Sequence, residues 1–296
     1  MRGSPAKLAK SESFRPAIDV VFSAERLRAI AQATGFALET LPYGLIAGFD
    51  LGTLYLAELP GPTAAEARAR FEARQILEAT KRAPDPNVVV LSGTSAGVPL
   101  GLVTIDDRVV AYAVGDPMLC RVVEAYARGK LKAKTAFEGA ALVGQAGDSR
   151  DFPISAHVPG PFDERWHSAA GGLLGIATSL SGKLAEAGAD RVRFELTLDG
   201  DFGQSNAVER LRATYMSVAA SSTGTLLGLG SSLDPQLFSN EPNDHIVLRV
   251  GLKLSDVARG ARAAASADLA EIFRLSGSAP TEPNSTPPPT LTPDSR

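Results

Sequence analysis

Residues 191–198 read RVRFELTL, and their alternation decides the fold. Val192, Phe194, Leu196 and Leu198 point one way, while Arg191, Arg193, Glu195 and Thr197 point the other. The stretch HIVLRVGLKLS at 245–255 repeats the pattern, with Ile246, Leu248, Val250, Leu252 and Leu254 on one face and Arg249 and Lys253 opposite. A period of two is the spacing of a strand, and one dry face beside one wet face is the signature of antiparallel strands. A doubly wound parallel sheet would read as continuous apolar runs instead. LVTIDDRVVAYAVGDP, residues 102–117, adds two strands joined at Asp106-Asp107, a hairpin.

Helix signals lie between these strands. Thr63-Ala64-Ala65-Glu66 fits a capping box opening a helix to about Arg82, with Ala65, Ala69, Ala73, Ile76 and Leu77 on one stripe. Asp116-Pro117 supplies an N-cap and a first-turn proline to a helix that carries Leu119, Val122, Val123 and Tyr126 inward and stops at Gly129. Ser23 and Ser255 read as further N-caps. Over 162–187, Trp166, Ala170, Leu173, Leu174, Ala177, Leu180 and Leu184 fall at helical spacing.

The expected class is therefore α+β, with antiparallel sheets covered by helices mainly on one face. Strand 45–57, helix 63–82, strands 88–115 and helix 116–129 run parallel to strand 190–199, helix 205–222, strand 245–254 and helix 255–274, which suggests two related halves. The expected organisation is a flexible N-terminus at 1–15, a first half at 16–148, a second at 149–275 and a disordered Pro/Ser/Thr-rich tail at 276–296.

Composition removes several functions. With 296 residues, 44% hydrophobic and 21% charged, the chain can bury a core. A net charge of −3, with Lys and Arg scattered, gives no footprint for nucleic acid. One cysteine, Cys120, excludes an intramolecular disulfide and a Cys-rich metal site. Cys120 reads as a small buried side chain. His157, His167 and His245 are the only histidines and share no ligand spacing, so neither a metal nor a cofactor is expected. The uncharged stretches 166–182 and 213–233 are only half apolar, so they read as buried helices and no transmembrane span is expected.

The segments DDRVVAYAVGDPMLCRVVEAYARG (106–129) and HVPGPFDERWHSAAGGLLGIATSLSGKL (157–184) resemble uncharacterised bacterial exported proteins, often lipoproteins, built from repeated strand–helix units. The likeness spans about residues 40–275 as pattern. It implies a periplasmic or cell-envelope location and carries no catalytic residue across. The opening MRGSPAKLAKSESFRP has no apolar signal core, which departs from that pattern and leaves a cytoplasmic location as the other reading.

One motif points to chemistry. Gly93-Thr94-Ser95-Ala96-Gly97 is a G-x-S-x-G, the form seen in patatin-like lipases, and Ser95 can be written with Asp199 and His245 as a hydrolase set. A nucleophile elbow leads at once into a helix. Here AGVPLGLVTIDDRVV follows, with Pro99 and Gly101 where the first turns belong, and this reads as strand. The expectation is a non-enzymatic binding or structural protein of the bacterial cell envelope, with a protein or small ligand as partner. The alternative is a serine hydrolase, patatin-like or α/β-hydrolase-like, using Ser95 with Asp199 or His245.

Overall fold

The computed structural model describes residues 1–15, 18, 19, 22–74, 76–129, 154–167, 169–188, 190–203, 206–221, 224, 229, 236–240, 244–256, 258 and 259. Its strands are β1 (Arg2–Gly3), β2 (Tyr43–Phe49), β3 (Gly52–Glu58), β4 (Leu77–Asp85), β5 (Val88–Ser95), β6 (Val98–Ile105), β7 (Val109–Val114), β8 (Ile154–Pro159), β9 (Ala177–Glu186), β10 (Arg191–Gly200), β11 (Gln236–Asn240) and β12 (His245–Lys253). They form one sheet in the order β11-β12-β10-β9-β8-β1-β2-β3-β7-β6-β5-β4. Every neighbouring pair is antiparallel, so the α+β class holds with an antiparallel sheet at its centre.

The alternation at 191–198 sets the register of β10 on β12. Val192 stands opposite Leu252, Phe194 opposite Val250, Leu196 opposite Leu248 and Leu198 opposite Ile246. On the other face Glu195 stands opposite Arg249, and the two are bonded at 2.6 Å. A slip by one residue would turn every apolar side chain to water, which is why this register is fixed. The apolar row packs under helix Ala207–Ala220, which contributes Ala207, Leu211 and Tyr215 to a core shared with Leu173, Phe202 and Phe14.

Helices α1 (Pro5–Lys10), α2 (Ala24–Thr34), α3 (Ala64–Glu72) and α4 (Met118–Ala127) precede that helix, here α5. Ser23 caps α2 as expected, its hydroxyl accepting from the Arg26 amide. The strands β3 and β5–β7 have helices on both faces. Tyr55, Tyr112, Leu102 and Leu91, in register with one another, lie under Ala64, Ala67 and Phe71 of α3. The alternate residues Val90, Val103 and Ala111 lie under Leu119, Cys120 and Val123 of α4. Asp106-Asp107, with positive φ of 50° and 51°, joins β6 to β7, as the sequence suggested.

Several expectations are corrected. The helix expected to reach Arg82 ends at Glu72, and Leu77–Asp85 is an edge strand. The buried stripe is Ala64, Ala67 and Phe71, and the Thr63 side chain makes no cap bond. The strand completes the open edge of β5, and its lysine and arginine pair with Glu72 and Glu124, the charged side chains that suit an exposed edge. The strand expected at 45–57 is the hairpin β2–β3. The helix expected over 162–187 is absent: short turns at Glu164–His167, Ala169–Gly172 and Leu173–Gly175 lead into β9. Ala170, Gly171 and Gly172 have φ of 51°, 67° and 82°, which no continuing helix allows. Trp166 is accordingly 56% exposed rather than on a core stripe, and the buried-helix reading of 166–182 falls with it. On α4, Val122 and Tyr126 face outward and Cys120 inward. Ser255 is no N-cap; its amide and hydroxyl both donate to the Asp190 carboxylate, at 3.0 and 3.1 Å. The tail at 276–296, most of the helix expected at 255–274 and the expected boundary at 148/149 lie outside the described residues.

Candidate functional site: an apolar cavity at the middle of the sheet

The serine motif forms a hairpin. Ser95 is the last residue of β5 and stands opposite Val98, and Ala96-Gly97 make the two-residue turn with φ of 44° and 81°. No helix follows Ser95; β6 does. Asp199 and His245 stand opposite each other on β10 and β12. Between β5 and β10 lie β6, β7, β3, β2, β1, β8 and β9. Asp199 and His245 are engaged near their own strands: the Asp199 carboxylate accepts from Ser179 Oγ, and His245 Nδ1 meets Asp244 Oδ1 at 2.9 Å.

A serine–histidine contact that the sequence reading missed occurs elsewhere. His157 on β8 stands opposite Ser181 on β9, with Nδ1 and Oγ 3.0 Å apart. Burial holds the His157 pKa below its usual value, an effect opposed by Asp199 and reinforced by Arg2. Ser181 is 3% exposed, so a substrate carbonyl has no route to it. The pair serves as a satisfied polar link between two strands. It was hidden because 177–186 carried a helical spacing.

Cys120 is also a packing residue. Burial pushes its thiol up to about 11, with Arg82 pulling it down and Asp116 pushing it up. A Cβ on Gly101 would come 2.0 Å from Cys120 Sγ, so that glycine makes room for the sulfur. Among the described residues no group of three or more His, Cys, Asp and Glu could hold a metal ion. No helix there is long and apolar enough to cross a membrane.

What the fold does build is a cavity of about 340 Å³ between the sheet and the N-terminal helices. Its origin is a row of small residues. Ile154, Gly3, Gly44 and Ala57 stand in register across β8, β1, β2 and β3. The two glycines put no side chain on the face that α1 and α2 cover. Pro5 and Leu8 from α1, Leu27 from α2, and Phe36, Leu38 and Leu41 from the connection to β2 form the opposite wall. A Cβ built on Gly44 would meet Pro5 Cγ at 3.8 Å and Leu56 O at 3.9 Å, ordinary contacts that leave space beyond. A glycine inside a strand often marks such a close approach, and Gly44 in LPYGLIAGF was the one sequence signal available.

At one end of the cavity stands Tyr112, whose hydroxyl donates to Thr34 O at 3.4 Å. Burial pushes its pKa up to about 12, partly offset by Arg74. The Arg74 guanidinium sits 5.7 Å from the Tyr112 ring centroid and 5.9 Å from that of Phe71, and donates to Ala33 O at 2.7 Å. This cation–π stack ties the end of α3 to the end of α2 and stiffens that wall. Three residues with a charged group belong to the lining: Met1 with its amino group, Arg2 and Glu39. The Arg2 side chain alternates with Gly3 and donates from Nε to Ser155 Oγ, at 3.0 Å, on the far side of the sheet. Glu39 is exposed.

Comparison of the chain with known families, characterised proteins and solved structures gives no match.

Proposed function

We propose that this chain is a non-enzymatic binding protein of the bacterial cell envelope, and that its ligand is an apolar small molecule held in the cavity floored by Gly3, Gly44 and Ala57. The observation that carries the reading is the cavity itself: about 340 Å³, walled by aliphatic and aromatic side chains, at the small end of the range of small-molecule sites. The hairpin position of Ser95, remote along the sheet from Asp199 and His245, supports a binding role over hydrolysis. The envelope location rests on the resemblance of 106–129 and 157–184 to exported proteins and on the spacer-like tail. In the same proposal the strands before and after residue 148 are related halves under helices mainly on one face, α4 being the exception. What supports that arrangement is a run of antiparallel strands on either side of β1, with β2 to β7 on one side and β8 to β12 on the other.

The test is a fluorescence titration of the full chain with N-phenyl-1-naphthylamine, a neutral dye that brightens in apolar surroundings. Saturable binding of one dye per chain is expected. A signal that rises linearly with dye, without saturation, would contradict the proposal.

A further inference from the structure

Lysine and arginine are scattered along the sequence, but the sheet gathers several of them on one face. Ile154 of the cavity floor stands opposite Leu184, and Leu184 opposite Phe194, so Arg193 and Glu195 point away from the cavity side. On that far face Lys183, Glu195 and Arg249 form a row across β9, β10 and β12. In the next row Arg193 stands between Ala185 and Gly251, and in the row after it Arg191 stands opposite Lys253. We infer that this basic face docks the protein on the surface of a bilayer rich in anionic phospholipid. The inference goes beyond the binding role proposed above and does not depend on it.

Charge is the first argument. Opposite residues of an antiparallel pair have Cα atoms ~5 Å apart, and successive rows on one face are ~7 Å apart. Arg191 has cationic neighbours at both spacings, Lys253 across the ladder and Arg193 along the strand. All three are exposed. Like charges directly opposite destabilise a sheet unless a counter-charge meets them. The nearby acids are engaged: Glu195 bonds Arg249 at 2.6 Å, Asp199 accepts from Ser179, and Asp190 accepts from Ser255. Ala185 and Gly251 offer Arg193 no counter-charge, and Lys253 offers Arg191 none. Lys183, Arg191, Arg193, Arg249 and Lys253 outnumber Glu195 and Asp199 on this face of the three strands, in a chain whose net charge is −3. An anionic headgroup layer supplies what the face lacks.

The layout of the cations is the second argument. They spread over two neighbouring strands as a patch and do not run in file. A layer of headgroups meets such a patch at every point, whereas a single polynucleotide strand needs a charged track with aromatic platforms for its bases. Phe238, opposite Val247, is the aromatic side chain that β11 adds to this face, and the Arg249 guanidinium lies 5.1 Å from its ring centroid, where a base would stack.

The experiment sediments the full chain with vesicles of phosphatidylcholine alone and with vesicles of phosphatidylcholine and phosphatidylglycerol mixed two to one. Binding to the mixed vesicles alone is expected, weakening as the Debye length falls from ~10 Å in 0.1 M salt to ~3 Å in 1 M. Each base near an anionic surface contributes about fivefold. The triple variant Arg191→Gln, Arg193→Gln, Lys253→Gln should therefore bind on the order of a hundredfold more weakly. Arg193→Gln alone should cost about fivefold, a measurement that stands even if the triple variant fails to fold. Lys7→Gln, Lys10→Gln and Arg28→Gln together remove the same charge from α1 and α2 on the cavity side and should change binding by no more than about threefold. An unchanged affinity in both Arg193→Gln and the triple variant would overturn the inference, as would an equal loss in the α1–α2 variant. Equal sedimentation with both kinds of vesicle, or with neither, would also overturn it. Binding to poly(dT) without binding to the mixed vesicles would overturn it in favour of a nucleic acid.

Discussion

Replacing Gly44 with valine should move stability and binding in opposite directions. The position sits in β2 and its backbone is not in the left-handed region, so valine imposes no strain there. Its Cβ would meet Pro5 Cγ at 3.8 Å and Leu56 O at 3.9 Å, and its two methyl groups would extend into the cavity. Valine over glycine in a strand is worth on the order of 1 kcal/mol. Three buried carbons contribute at most ~0.8 kcal/mol each, and less here because part of the cavity surface is already withdrawn from water. The expected gain is about 1–2 kcal/mol, a rise in Tm of roughly 3–6 °C for a domain of this size. The same three carbons occupy the room of about three methylenes of ligand, which at ~0.8 kcal/mol each weakens binding about sixtyfold. Circular dichroism melting and the naphthylamine titration measure the two effects on one preparation. A lower Tm would show that the space over Gly44 is not open. Unchanged dye affinity would show that the dye binds elsewhere.

Two more outcomes follow from the geometry. Ser95→Ala should leave the fold intact, and a fluorophosphonate probe should label neither protein, since Ser95 ends a strand on a hairpin; labelling of the wild type that disappears in Ser95→Ala would restore the hydrolase. Burial holds His157 below its usual pKa in the folded chain, so the unfolded chain takes up the proton first as pH falls. Stability should therefore be level above about 6.5 and decline as pH drops through that value toward the folded pKa. Urea midpoints at pH 7.5 and 5.5 should differ less in His157→Asn than in the wild type, and equal drops in the two proteins would remove His157 from the account.

The parts of the fold that were legible in the sequence carried a signal that only a strand gives. β10 and β12 each bury one face, so their apolar residues recur at two, while the β6–β7 hairpin, buried on both faces, was marked by Asp106-Asp107 between two apolar runs. The segments that misled have apolar residues four apart. Leu180 and Leu184 share a face in a helix and equally in a strand, because four is close to one turn and also an even number. In β9 the decision came from Ala170, Gly171 and Gly172, whose positive φ breaks any helix before the strand begins, and from pairing with β8 and β10. In β4 it came from the open edge of β5.

The site was harder to see than the fold. Its floor is defined by side chains that are missing, and Gly3, Gly44 and Ala57 meet only once β1, β2 and β3 are laid in register. Its roof comes from α1, α2 and the connection that follows, all distant in sequence from Ile154 and Tyr112. The G-x-S-x-G at 93–97, conspicuous as a string, proved to be the two-residue turn that such a glycine most simply makes.

The most direct test of the central claim is a crystal structure of the full chain grown with N-phenyl-1-naphthylamine. The account predicts one dye molecule lying over Gly44, between Pro5 and Leu8 on one side and Tyr55 and Tyr112 on the other. A dye bound at another surface, or a cavity closed by α1 settling onto Gly44, would contradict it.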